Sequence, residues 1–260
     1  MQTAFFEGDF MTIVIAFLCS DGIVIAADSM LTPSVNGISV GHHKGKKVDI
    51  LDSEQIFAFA GDHGQANRFK FIAEKCKGRS DSYENAFEFT IAISAEILGN
   101  FNDTGIADLV DVNTALGFAH NGKYDCCIFE GNLQPRLLDA NHYFAALGSG
   151  KMSADPFLRF LVDTFCQSSP PTVRLALLMS VWTIQHVIET TPGGVSGPIR
   201  AAKLTQDSGQ TKCHELTERE IEDHRQAMES AIGALRNWYN SPMMPGNIHD
   251  TPSMPEPPPE

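Results

Sequence analysis

Apolar and β-branched residues run almost unbroken over 12–17 and 23–27, flanking Ser20-Asp21-Gly22, a pattern that predicts a β-hairpin. A second pair of runs, 47–51 and 55–60, flanks Asp52-Ser53-Glu54 and predicts another hairpin. The polar stretch 33–45 between them carries three glycines and reads as a loop or ragged sheet edge. The period then changes. Asp62 with Gln65 gives a capping-box pattern, and Ala66, Phe69, Ile72 and Ala73 share one helical face, with Gly78 suited to the exit. A second helix is expected from a Ser82 cap, with Tyr83, Ala86, Phe87, Thr90, Ile93, Ile97 and Leu98 in period up to Gly99.

Strand patterns return at 113–119 and 124–129, joined by the hairpin signal Asn121-Gly122, and continue at 135–139 and 143–147. One helix is expected from Asp155-Pro156 to about Phe165, with proline in its first turn. Another starts at Ser169-Pro170, is apolar nearly all round and so buried, and ends at Gly193-Gly194. Strands 199–204 and 212–216 follow, then a helix capped by Thr217 and Glu220 with Met228, Ile232, Leu235 and Trp238 on its stripe. Helices thus come in pairs between blocks of strands. That order predicts an α+β fold, a four-layer αββα sandwich of two antiparallel sheets, over 12–240. The proline-rich tail 241–260 has no periodicity and is expected to be disordered.

Composition narrows the partners. The chain of 260 residues is 43% hydrophobic and carries a net charge of −13, which disfavours nucleic acid and anionic membrane as partners. The longest apolar stretches, 13–19 and 175–184, fall short of the roughly 20 residues a bilayer span needs. Glu7 and Asp9 stand where a secretory signal would carry basic residues, so a cytoplasmic location is expected. The six cysteines have no metal-type spacing and read as buried thiols, with Cys126 and Cys127 on opposite faces of one strand. His42-His43 in the loop read as solvated, so neither a metal nor a cofactor is expected.

No serine-hydrolase elbow, phosphate loop, zinc-protease helix or dinucleotide fingerprint occurs. What remains is Thr12 at the start of a strand, Asp21-Gly22 in the first turn and Asp28 at the end of the second strand. Lys47 and the run Phe57-Ala-Phe-Ala-Gly61-Asp62 follow. In this set of residues and intervals the chain resembles the proteasome β-subunit family and its bacterial relatives, HslV and Anbu among them. It is identified as an HslV-like, proteasome-type peptidase of the N-terminal-nucleophile (Ntn) hydrolase superfamily. The likeness is strong over 12–68 and collinear to about 204, with one insertion in the 33–45 loop.

The resemblance implies a threonine-type endopeptidase with Thr12 as nucleophile. A threonine hydroxyl needs a base, and a free α-amine with a pKa of about 7.7–8.0 can supply one. That requires residues 1–11 to be a removed leader or a mis-assigned start. Lys47 would favour the deprotonated hydroxyl, Asp28 would hold Lys47, the Gly61 N–H would donate to an oxyanion, and Ser149 would support the amine. Leu31, Phe59 and His63 are expected to line the substrate cleft. The resemblance further implies a homo-oligomeric ring, a polypeptide substrate and an ATPase unfoldase as partner.

Two departures from the family pattern stand out. Glu189 and Pro192 occupy positions where the family places an aspartate and a serine, leaving Glu189 as candidate amine support. Met11 replaces the glycine that usually precedes the threonine. Either translation starts at Met11 and aminopeptidase exposes Thr12, or Met1 is the start and cleavage after Met11 frees it. A non-catalytic ring subunit and a small-molecule Ntn amidohydrolase are the alternative readings.

Overall fold

β1 (Val14–Leu18) and β2 (Gly22–Ala27) close the first hairpin in the register Val14↔Ala27 to Leu18↔Ile23. The computed structural model describes residues 12–31, 34–35, 38–39, 41–51, 53–76, 79–105, 110–166, 169–191, 195–207 and 209–240. Outside them lie the expected leader 1–11, parts of the 33–45 loop, Asp52, Gly78, Pro192, Gly193-Gly194 and the tail 241–260. Four two-residue strands follow in the 33–45 region and its flanks: β3 (Met30–Leu31), β4 (Ser34–Val35), β5 (Ile38–Ser39) and β6 (His43–Lys44). They form two small ladders, β3 with β6 and β4 with β5.

β7 (Val48–Leu51) and β8 (Gln55–Gly61) form the second hairpin. Next come α1 (His63–Cys76) and α2 (Ala86–Asp103). β9 (Val112–His120), β10 (Lys123–Glu130), β11 (Gln134–Leu137) and β12 (Phe144–Leu147) follow. α3 (Lys151–Phe165), α4 (Val173–Thr190), β13 (Arg200–Asp207), β14 (Gln210–Glu215) and α5 (Glu218–Asn240) complete the described chain. Two five-stranded sheets result, in the orders β12-β1-β2-β13-β14 and β11-β10-β9-β8-β7, with every pairing antiparallel.

Strand alternation sorts the apolar side chains into three layers of core. Ile13, Ile15 and Phe17 point toward α3 and α4, whereas Val14 and Ala16 point into the space between the sheets. Likewise Phe57 and Phe59 meet α1 and α2, while Ile56, Ala58 and Ala60 face the other sheet. Covered on both faces, these strands carry unbroken apolar runs in place of an alternating pattern. The architecture is the expected four-layer αββα sandwich. Cys126 lies between the sheets and Cys127 under the helices, on opposite faces as the strand period requires.

Several helix starts differ from expectation. Ser82 ends a short 3-10 turn, Ser80–Ser82, and α2 begins later, where Asn85 accepts a hydrogen bond from the Glu88 N–H at 2.9 Å. α2 also runs through Gly99 to Asp103, because Phe101 belongs to the core. α3 starts at Lys151, so Pro156 sits inside the helix; the tight turn at 148–150 starts it early, with Ala154 N–H bonded to Gly150 C=O at 3.0 Å. α4 begins at Val173, capped by Thr172 and by Asp21, whose carboxylate accepts from Val173 N–H at 2.7 Å. The first hairpin turn is thereby tied to the helix above it. In α5 only Ile221 and Met228 are buried, and Leu235 is 49% exposed, so the apolar stripe continues beyond what the described chain covers. Among the described residues no helix is long and apolar enough to cross a membrane.

The start of α5 is a complete capping box. Thr217 N–H and hydroxyl donate to Glu220 Oε2 at 2.7 and 2.8 Å, and Glu220 N–H donates to Thr217 Oγ1 at 3.2 Å. The Thr217 N–H foremost, then its hydroxyl and His214, hold the Glu220 carboxyl down to about 2. A carboxyl depressed by folding stabilises above its ordinary value of 4.5, and that stabilisation is lost as pH falls toward 2. A carbon-detected NMR titration should give Glu220 a midpoint near 2. Thr217→Ala should move that midpoint only part of the way back, since the backbone donor remains, and should cost about 1 kcal/mol in urea denaturation.

Candidate active site

Asp28 follows the last residue of β2, and its carboxylate is 0% exposed. A buried carboxylate is tolerated only with donors around it, and three are present. Oδ1 accepts from Ile13 N–H at 3.1 Å and from Lys47 Nζ at 2.8 Å, and Oδ2 accepts from Met30 N–H at 2.9 Å. Lys47, just before β7, is 1% exposed, so its side chain reaches through the sandwich to this point. Its ammonium makes a second contact, to Thr12 Oγ1 at 3.0 Å. Burial pushes the Asp28 carboxyl above its usual range and the Lys47 ammonium below its own, and the attraction between the two opposes both shifts.

Thr12 is half-buried, at the mouth of the β1–β2 hairpin. Its backbone is gripped by the turn between β12 and α3. Gly150 N–H donates to Thr12 C=O at 3.0 Å, and Thr12 N–H donates to Ser149 Oγ at 3.3 Å. The turn needs glycine at 148: φ is +87°, and a Cβ there would run into Thr12 C=O and press on the Ala60 Cβ. In the full-length chain this Thr12 nitrogen is a peptide amide. With Thr12 as first residue the same nitrogen would be an α-amine, at the place where it now meets the Ser149 hydroxyl.

Gly61 ends β8 next to Ala60, at the same end of the sandwich. Phe59 N–H donates to Lys47 C=O at 3.3 Å, across the edge of β8 away from β9. By strand alternation the Gly61 N–H faces that same edge, on the Lys47 side. Gly61 has φ +103°, and a Cβ would collide with Asp111 C=O. Glycine is therefore required by the corner itself, whatever the chemistry.

Thr12, Asp28, Lys47 and Ser149 are thus joined by hydrogen bonds, and Gly61 stands at the adjoining strand end. Such a cluster combines a hydroxyl, a cation that lowers the cost of its ionisation, and a second hydroxyl beside the nitrogen. Phe59 is only 3% exposed, packed under α1 and α2 and stacked beneath the exposed His63 ring with centroids 5.5 Å apart. Leu31 is half-buried on β3 and packs against the same cluster. Glu189 is exposed on α4, where its carboxylate accepts from Gln185 at 2.6 Å; Thr12 is not among its hydrogen-bond partners. Among the described residues there is no cluster of three metal-ligating side chains. The buried thiols are poor nucleophiles, with burial pushing Cys127 up to about 12.

Sequence reasoning missed Asp111 and gave Gln65 the wrong partner. Asp62 Oδ1 caps Gln65 N–H at 2.7 Å, as expected. The Gln65 side chain, however, accepts from Asp111 N–H at 2.9 Å, and Asp62 N–H donates to Asp111 C=O at 2.6 Å. Residue 111 lies beyond any motif, and nothing in the sequence pairs it with Gln65.

No protein-family model and no curated protein matches this sequence. Solved structures do match in fold. Anbu from Hyphomicrobium sp. strain MC1 superposes with a TM-score of 0.65 at 14% identity, over 88% of this chain and 97% of that one. Anbu, described as an ancestral β-subunit, from Yersinia bercovieri gives 0.65 at 14% identity, over 89% and 98%. A helical assembly of the Anbu complex from Pseudomonas aeruginosa gives 0.64 at 14% identity, over 90% and 100%. The expectation of an HslV-like chain is corrected by these matches: the likeness in fold is to Anbu.

The buried pair predicts unequal costs for its two halves. Asp28→Leu leaves an ammonium without its counter-ion and orphans the Ile13 and Met30 N–H groups, at a cost of about 3–5 kcal/mol. Lys47→Met should cost less, because the remaining carboxyl keeps both N–H donors and burial already favours its protonated form. Urea denaturation of both variants checks the order, and equal or reversed losses would contradict it.

Proposed function

We propose that this chain is the peptidase subunit of a proteasome-like assembly, a threonine-type endopeptidase acting through Thr12. The observation that carries the reading is the 3.0 Å contact between a buried ammonium, Lys47 Nζ, and the Thr12 hydroxyl. A bland structural role accounts poorly for it. An apolar side chain would fill the same space without the cost of desolvating a charge.

Chemistry begins once residues 1–11 are gone and the Thr12 nitrogen is a free amine. That amine takes the Thr12 hydroxyl proton as Oγ1 bonds to the carbonyl carbon of the scissile peptide. The Lys47 ammonium stabilises the negative charge on Oγ1, and Asp28 keeps it in reach. The Gly61 N–H donates to the tetrahedral oxyanion. Collapse breaks the C–N bond, and the departing amine takes the proton back from the α-ammonium. Water, deprotonated by the same amine, then attacks the Thr12 ester, releasing the carboxylate product and the hydroxyl.

Ser149 supports the amine, and Glu189, paired with Gln185 on α4, is the second candidate for that role. His63, Phe59 and Leu31 form the wall on which a substrate side chain rests, with His63 the part that meets it. Copies of the chain assemble into a ring or a related helical array enclosing the Thr12 sites. An ATPase unfoldase feeds it, and polypeptide is the substrate.

Thr12→Ala in the mature protein should lower the cleavage rate of fluorogenic peptides by at least about 10³-fold, with the fold unchanged by circular dichroism. Retained turnover in that variant would end the reading. A parent protein inert toward every peptide, though mature at Thr12, would favour a non-catalytic ring subunit. Turnover of small non-peptide amides by a monomer would favour an amidohydrolase.

A further inference from the structure

The corner at Gly61 is fastened by a closed loop of three hydrogen bonds that no catalytic group enters. Asp62 N–H donates to Asp111 C=O, Asp111 N–H donates to Gln65 Oε1, and Gln65 N–H donates to Asp62 Oδ1. The distances are 2.6, 2.9 and 2.7 Å. Asp111 would, as the antiparallel partner of residue 62, ordinarily return its N–H to the Asp62 carbonyl. Here the helix takes it instead. Gln65 is in the first turn of α1, so its side chain bolts the segment leading into β9 to the helix just after Gly61.

Gly61 has no side chain and sits at φ +103°, a backbone state with little intrinsic preference to hold it. It is exposed, and its neighbour Asp111 lies hard against its Cα. The orientation of its N–H is therefore held from both sides, by the pairing of Ala60 with Asn113 before it and by what holds residues 62 and 111 together after it. We infer that Gln65 is a positioning residue: through Asp111 it aims the Gly61 N–H at the oxyanion formed during attack by Thr12. This rests on the peptidase reading given above. An oxyanion donor contributes only when its N–H already points where charge develops, so a loosened corner lowers turnover more than binding.

The test uses the mature full-length protein and two variants. Gln65→Met keeps length and helix preference but removes the acceptor; Gln65→Glu keeps an acceptor at the same reach. Two reagents separate the steps. With a β-lactone, Oγ1 bonds to the carbonyl carbon, an oxyanion forms, and the ring C–O bond breaks, its oxygen taking a proton. With a peptide vinyl sulfone, Oγ1 bonds to the β-carbon, the electron pair moves to the α-carbon, and that carbon takes the proton. No carbonyl oxyanion arises in the second case.

Gln65→Met should lower kcat and the β-lactone rate by about tenfold while KM and the vinyl sulfone rate stay within about twofold. The Asp111 amide should also lose its protection from hydrogen exchange, and Gln65→Glu should restore most of the lost rate. A parent-like β-lactone rate in Gln65→Met overturns the inference. So does equal slowing with both reagents, which marks a general disturbance of the site. If the parent protein modifies Thr12 with neither reagent, the peptidase reading has failed and takes this inference with it.

Discussion

A lysine ammonium with 1% exposure can persist in a folded protein only where fixed partners replace the water it has lost. Lys47 finds two, the Asp28 carboxylate and the Thr12 hydroxyl, and these come from the two strands of a single hairpin, at its open end. The hairpin register decides the matter. Val14 pairs with Ala27, so Thr12 and Asp28 emerge at the same strand end, Asp28 one step and Thr12 two steps beyond the paired segment. Asp28 then reaches back to the Ile13 N–H, pinning the residue after Thr12 as well as the cation. One ion pair thus fixes the open end of the hairpin and the hydroxyl beside it.

The sandwich explains why that arrangement can be rigid. β1 and β2 belong to the sheet under α3 and α4, whereas Lys47 leads into, and Gly61 ends, a strand of the sheet under α1 and α2. The site lies across the seam, so the inter-sheet core sets the distance between its halves. Val14, Ala16, Ala58 and Ala60 share that core, and small residues there let the sheets approach. At the rim, the Gly148 turn closes on Thr12 C=O and Ala60 together, joining both sheets at the point where chemistry would occur.

Much of this was legible from residues alone, for a physical reason in each case. Strands buried on both faces advertise themselves by unbroken apolar runs, and helices arriving in pairs imply two sheets covered on their outer sides. The Thr12, Asp28 and Lys47 set was singled out by its resemblance to the proteasome β-subunit family, and the hairpin register shows why residues at that spacing meet. Helix starts were less legible. Ser82 and Pro156 are good start signals locally, yet α2 begins at an Asn85 cap and α3 at a glycine turn held by Thr12. The two capping patterns make the point most clearly. Thr217 with Glu220 closes on itself, while Gln65 leaves Asp62 with half a box and binds Asp111, a residue 46 positions away. A local motif cannot announce a distant rival for its side chain.

In the proposed mechanism a single residue supplies both attacking oxygen and proton acceptor, so the state of its nitrogen in the native molecule matters most. Intact-mass analysis of natively expressed protein, before and after exposure to a β-lactone, reads that state and the site of acylation together. The expected result is a chain beginning at Thr12 that gains one reagent mass on that residue. Chains that all keep residues ahead of Thr12, or that carry the reagent elsewhere, would contradict it.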